Sequence, residues 1–271
     1  MQIKSGQGFL TFAHNTPDVD YVNMAYLLAL SIKRSCSINN FSVVVTKGTT
    51  ITDAQRDVFD HVIEIPTTPP FYSECLAWNL TPYKETFKLE CDMLVPRSID
   101  HWWSACRLSD VVLTTCVRNY KGEISDNRFY RRYFDANNLV DAYNGCMYFR
   151  FSQNSKTFFD TARSVYQNWD LYRDRVLVGS NYPSADTDVC FGVTAALLDI
   201  FSCTLPLDFP TFTHMKGAIN GWKSHMDWRD AVQWHIDDEH NLFVGGVAQQ
   251  YPFHYYQKDF CTPELIQHYE F

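Results

Sequence analysis

No stretch of the 271-residue sequence approaches the roughly 18 consecutive apolar residues that a membrane-spanning helix requires. The first residues, MQIKSGQGFLTFAHNT, also lack the apolar core of a signal peptide. The expected location is the cytoplasm, with no membrane partner. The nine cysteines (Cys36, Cys75, Cys91, Cys106, Cys116, Cys146, Cys190, Cys203 and Cys261) form no CxxC pair, which speaks for reduced, buried thiols over a zinc site or disulfide framework. Positive charge is scarce: 23 Lys and Arg against 31 Asp and Glu give a formal charge of -8. That balance excludes a general basic surface for nucleic acid and leaves room only for a local cluster, for which Lys121, Arg128, Arg131 and Arg132 are the candidates. There is no internal repeat, low-complexity linker or break in composition, so one domain is expected. Nor does a glycine-rich basic loop follow the first apolar segment, as an enzyme that holds a nucleoside triphosphate would need.

The composition is 46% hydrophobic and 16% aromatic, enough for one large core. Residues 8–13 are apolar and β-prone, and Thr16-Pro17-Asp18 supplies a cap, a proline and an acid for a helix running to about Arg34. Val22, Ala25, Tyr26, Ala29 and Ile32 fall on one face of that helix. The β-branched run FSVVVTKG predicts a strand buried on both faces, and a short helix over residues 52–59 and the strand HVIEIP complete a βαβαβ unit. Such a unit implies parallel pairing, with ligands at the carboxyl ends of the strands. Beyond it the spacing predicts strands at TFKLECDMLVP, VVLTTCV and NGCMYFRF. Helices are predicted over 98–106, 156–169 and 188–200, with an irregular excursion between Tyr120 and Tyr143.

Chemistry concentrates in FKLECDMLVP. Glu90 and Asp92 stand two apart at the end of an apolar strand, and side chains at i and i+2 project to the same side. Two hard carboxylates converging there suit Mn2+ or Mg2+; solvated strand-end acids are the plainer alternative. As a cleft carboxylate, Asp92 is expected to contribute little to the core.

This order of elements, with acid-x-acid-Met-Leu-Val-Pro after the βαβαβ start, resembles the GT-A glycosyltransferases, including the glycogenin-like retaining enzymes. In them this position carries aspartate-x-aspartate; here Glu90 replaces the first aspartate. Asn144-Gly145-Cys146-Met147 is similar to a strand start that forms part of the donor and acceptor site, and Ala185-Asp186-Thr187-Asp188 to an acidic element near the transferred sugar. The opening FLTFAHNTPDVDYVNMAYLLALSIK also resembles glycosyltransferase-like proteins of large tailed phages, which would place the chain in the host cytoplasm.

The resemblance implies an α/β GT-A fold with a mixed central sheet flanked by helices. Residues 1–118 would form the nucleotide-sugar half, and residues 119–271 the acceptor and metal-completing half. It implies transfer of a sugar from a nucleoside diphosphate donor, uridine-linked, to a hydroxyl. Hydroxymethylcytosine in DNA is one acceptor; a glycan or small molecule is the other, and an inert binding module the non-enzymatic alternative. Thr11, Ala13, His14, Asn15, Glu90, Asp92, Gly145 and Lys258 would bind the donor, with Tyr21 as an aromatic wall. Asp92, Glu90 and His254, or His214 in its place, would hold the metal. Asp186 or Asp188 would serve as base in an inverting reaction, and Asn144 or Asp188 would orient the sugar in a retaining one. Asp186 and Asp188 equally suit helix caps. The basic cluster Lys121, Arg128, Arg131 and Arg132 would meet DNA.

Overall fold

The computed structural model describes residues 4–127, 131–179, 185–199, 209–223 and 226–271; Arg128 and Cys203 lie outside them. β1 (Gln7–Ala13), α1 (Tyr21–Ser35), β2 (Phe41–Thr46), α2 (Asp53–Val58) and β3 (His61–Ile65) form the expected βαβαβ unit. Its strands pair in parallel, in register Phe9 with Phe41 and Ser42 with His61. α2 starts as the sequence suggests, with Thr52 and Gln55 closing a reciprocal capping box. α1 does not. Its cap is Asp20, whose carboxylate accepts the N–H groups of Val22 and Asn23, while Thr16 closes a separate turn with Val19. Two capping signals compete here, and the one adjacent to the apolar run prevails.

A 3-10 segment (Tyr72–Leu76) and α3 (Ala77–Leu80) lead into β4 (Glu85–Leu89), which pairs in parallel with β1. β5 (Met93–Leu94), α4 (Asp100–Cys106), β6 (Val111–Thr114), α5 (Arg132–Ala136) and β7 (Tyr143–Arg150) follow. β7 runs antiparallel between β4 and β6, giving a six-stranded mixed sheet in the order β3-β2-β1-β4-β7-β6. The α/β expectation, with helices flanking a mixed central sheet, is met. α1 and α4 cover one face, where Phe87 lies 4.5 Å from the Trp103 ring and 5.3 Å from Tyr148. α6 (Gln153–Gln167) and α8 (Thr187–Leu197), with α7 (Trp169–Leu171) between them in sequence, lie beyond β7. α6 and α8 cover the other face through Phe158, Phe159 and Phe191 against Leu10, Val44 and Met147. Alternate strand residues therefore feed two cores, the pleat periodicity of a sheet covered on both sides.

The remaining chain contributes β8 (Thr213–His214), α9 (Trp228–Ala231), the meander β9 (Trp234–Ile236), β10 (Leu242–Val244) and β11 (Val247–Ala248), then β12 (Phe253–His254) and α10 (Pro263–Tyr269). β12 joins β5 antiparallel and β8 parallel in a small three-stranded sheet. This sheet positions the site. All eight described cysteines are free thiols. Among the described residues no helix is long and apolar enough to cross a membrane.

Candidate active site

β4 stops at Leu89, and residues 90–92 leave the sheet, so Glu90 and Asp92 do not converge through strand alternation as the sequence suggests. They converge because the excursion is held at both ends. The Glu90 N–H donates to Gly145 O at 2.9 Å, and the Tyr255 N–H donates to Asp92 O at 3.2 Å. β12 thus lays His254 across the acids: its Nε2 is 2.7 Å from Asp92 Oδ2 and its Nδ1 3.5 Å from Glu90 Oε2. One ligand atom from each of Glu90, Asp92 and His254 lies within 4.8 Å of the others, a group able to hold a metal ion. His214, the alternative ligand, is also here. In register with His254 on the neighbouring strand, it stacks on its ring at 4.4 Å and 17°. Burial, then the His254 charge, holds His214 well below the usual histidine pKa, so it backs His254 as a neutral ring.

Asp92 is 3% exposed. Burial alone would raise its pKa, but His254 and Lys258 outweigh it and hold the carboxyl well below the usual range. Conversely, burial would depress His254, and the Asp92 and Glu90 carboxylates raise it instead. Lys258 donates to Asp92 Oδ2 from the turn after β12 and lies 5.7 Å from the Tyr21 ring centre. Glu90, the outer acid, is raised, chiefly by burial.

Beside these groups opens a cavity of about 590 Å³, walled by Phe12, Tyr21 and Phe71, floored by Lys88, Glu90 and Asp92, and closed by Tyr256 and Lys258. It sits at the carboxyl ends of β1, β2 and β4, where open α/β sheets bind ligands. Of the amino-terminal donor candidates, His14 and Asn15 line it. Thr11 and Ala13 do not. Both are fully buried, and Thr11 Oγ1 donates to Leu89 O at 2.8 Å, because odd positions of β1 face the α1 side of the sheet. His14 bridges Thr46 Oγ1 at 3.0 Å and Ser73 Oγ at 3.1 Å; burial lowers its pKa against the pull of Glu74. Gly145 serves packing. A Cβ there would lie 2.6 Å from the Phe212 ring and 2.9 Å from the Met93 methyl.

A second polar cluster joins the cavity floor at Lys88. Asp188 accepts the Asn144 N–H at 2.7 Å on one oxygen and Arg131 Nη1 at 2.8 Å on the other. Arg131 also pairs with Asp141 at 2.6 Å and is 3% exposed. Its guanidinium therefore faces inward, sandwiched by the Phe134 and Tyr143 rings, and is not offered to DNA phosphates. Lys121 and Arg132 are exposed. Two members of the cluster escape sequence reasoning: Lys88, 2% exposed, and Glu74, which pairs with it at 2.5 Å and accepts the Asn144 side-chain amide. The available signal was a lysine inside the apolar run TFKLE.

Asp186 caps α8 by accepting the Asp188 N–H at 2.8 Å. Burial and then the Asp188 charge push its carboxyl up to about 7. An acid raised in the folded state binds its proton more tightly folded than unfolded. Stability is therefore lost as pH rises from the ordinary carboxylate range, about 4, towards 7, and is flat above. Asn caps as well as Asp. Asp186→Asn is accordingly expected to raise the melting temperature at pH 8 and to leave it nearly unchanged at pH 4; a gap independent of pH would remove the assignment.

No protein-family profile and no curated protein sequence matches the chain. Solved structures that align with it include the apo form of the bifunctional glycosyltransferase WbbM, at 12% identity and TM-score 0.39 over 60% of this chain and 35% of that one. The glycosyltransferase GlyE of Streptococcus pneumoniae TIGR4 aligns at 9% identity and TM-score 0.40, over 77% of this chain and 45% of GlyE. The apo form of GlyE gives 11% and 0.40, over 72% and 44%. The chain spans less than half the length of these structures.

Proposed function

We propose that the chain is a metal-dependent glycosyltransferase of GT-A type, moving a sugar from a uridine diphosphate donor to an acceptor hydroxyl. The observation that carries this reading is the convergence of Glu90, Asp92 and His254 on the floor of an aromatic-walled cavity at the strand ends. The donor set suits a divalent ion. His254 Nδ1 is buried without a hydrogen-bond partner although Glu90 Oε2 is 3.5 Å away, and carboxylate with imidazole fits Mn2+ or Mg2+.

Asp92, Glu90 and His254 would hold the ion, which when bound supplies neutralisation of the diphosphate charge. Tyr21, Phe12 and Phe71 form the walls against which a base stacks. Lys258 stabilises charge building on the departing phosphate oxygen as the bond from the anomeric carbon breaks. The acceptor oxygen forms the new bond to that carbon, and its proton passes to Asp186. Burial and the Asp188 charge push the Asp186 carboxyl up to about 7, which suits it to take that proton in an inverting reaction; in a retaining one Asn144 or Asp188 would orient the sugar. Asn144, with its side-chain amide on Glu74 and its N–H on Asp188, positions that side of the site. In this reading both halves of the chain, 1–118 and 119–271, build one site. Hydroxymethylcytosine DNA as acceptor rests on the exposed Lys121 and Arg132; a glycan or small-molecule hydroxyl needs no such surface, and the inward turn of Arg131 favours it.

Thermal unfolding with a panel of nucleoside diphosphates, with and without Mn2+, tests the donor class. Uridine diphosphate at about a hundred times its Kd should contribute about 2.7 kcal/mol, and only with metal present. A shift with adenine or thymine nucleotides alone would redirect the donor. No shift with any would sink the reading, and metal-dependent binding without turnover of any uridine diphosphate sugar would leave an inert binding module.

A further inference from the structure

β4 carries a lysine in the middle of the sheet. Lys88 lies between Phe87 and Leu89, both fully buried, and its own side chain is 2% exposed. Burying an ammonium is costly, and a buried ion pair contributes less to stability than a well-packed apolar pair of the same volume. A charge kept there against that cost points to a task at the site. The side chain runs to the carboxyl end of the strand, where it meets Glu74 Oε2 at 2.5 Å and Asn144 O at 2.9 Å, and it forms part of the cavity floor. An ammonium has three N–H bonds, and these two contacts account for two of them. The third is left for the cavity.

Its neighbours fix what the third meets. Glu90 and Asp92, two of the candidate metal ligands, line the same cavity, and Asn144, whose carbonyl Lys88 holds, gives its N–H to Asp188 at 2.7 Å. The diphosphate belongs with the metal ligands and Lys258, and the acceptor with Asp186. What lies between is the sugar.

Resting on the donor reading above, we propose that Lys88, clamped by Glu74 and the Asn144 carbonyl, donates its remaining N–H to a hydroxyl of the donor sugar and so helps select which sugar the site accepts. Glu74 is the positioning residue of the pair: it holds the ammonium in one place, so that a hydroxyl of the wrong configuration finds no donor.

Calorimetry separates the roles, using the full chain with Mn2+, uridine diphosphate, and its glucose, galactose and N-acetylglucosamine derivatives. Lys88→Met alone takes the cation from Glu74 and leaves it only the Asn144 amide, so Lys88→Met with Glu74→Gln, which keeps the pair neutral, is measured beside it. The best-bound sugar nucleotide is expected to weaken about tenfold or more in both variants, the size of a hydrogen bond to a charged group. Discrimination among the three sugars should shrink, and uridine diphosphate itself should bind as before. A folded double variant that binds the sugar nucleotide with the original Kd would overturn the proposal, as would equal weakening of the sugar nucleotide and uridine diphosphate. Failure of the unsubstituted protein to bind uridine diphosphate at all would instead overturn the donor reading, and this assignment with it.

Discussion

Asp92→Asn is expected to reduce metal-dependent hydrolysis and transfer from a uridine diphosphate sugar to background, and to lower stability at the same time. The first effect follows from the candidate metal group, in which Asp92 is the most buried acid. The second corrects the expectation that a cleft carboxylate contributes little to the core. Asp92 is buried beneath His254 and Lys258, and hydrogen bonds to a charged partner contribute about 1.5–3 kcal/mol each. A carboxyl held below its usual pKa adds stability above the ordinary carboxylate range and loses it as pH falls. The gap in melting temperature between the two proteins should therefore be full at pH 7 and close in acid. Retained turnover in a folded Asp92→Asn protein would remove the central assignment.

Arg131→Met is expected to cost about 3–5 kcal/mol, the effect of taking one partner from a buried ion-pair network and leaving the others behind. Asp188 and Asp141 would lose their common cation, while the Asp188 carboxylate keeps the Asn144 N–H at the start of β7. Urea unfolding measures the loss. A change below about 1 kcal/mol would mean the guanidinium is paired in solution as loosely as an exposed one. Arg132→Met, at the exposed neighbouring position, is the comparison and should cost no more than about 1 kcal/mol, the limit for an exposed pair.

The contrast between those arginines shows where sequence stops being informative. The run RFYRRY carries charge without periodicity, and nothing local says that Arg131 turns inward while Arg132 faces water. The βαβαβ start was legible because its strands are continuous apolar, β-prone runs and its first helix shows a clean apolar face, although the cap of α1 was not. β7 was legible as a strand, but its place between β4 and β6 depends on pairing across long sequence distances. The acids at 90 and 92 could be read as a pair, although for a reason the structure replaces: hydrogen bonds to Gly145 and Tyr255 bring them together, outside the strand. His214 and His254 appeared as rivals because spacing cannot show that two histidines lie in register on adjacent strands.

β12, two residues long and paired with β5, has a consequence for the order of assembly. Asp92 and His254 are 162 positions apart, so the candidate ligand group closes a long loop. Closing it costs chain entropy that only the finished small sheet offsets. The six strands of the main sheet all precede residue 151, so they can pair while that loop is still open. Cation binding should then be the last native property to appear. In refolding monitored by tryptophan fluorescence, a burst of core formation should precede the signal from Mn2+ uptake. Added Mn2+ should slow unfolding of the chain more than it speeds folding, since the ion finds its partners only after the barrier has been crossed.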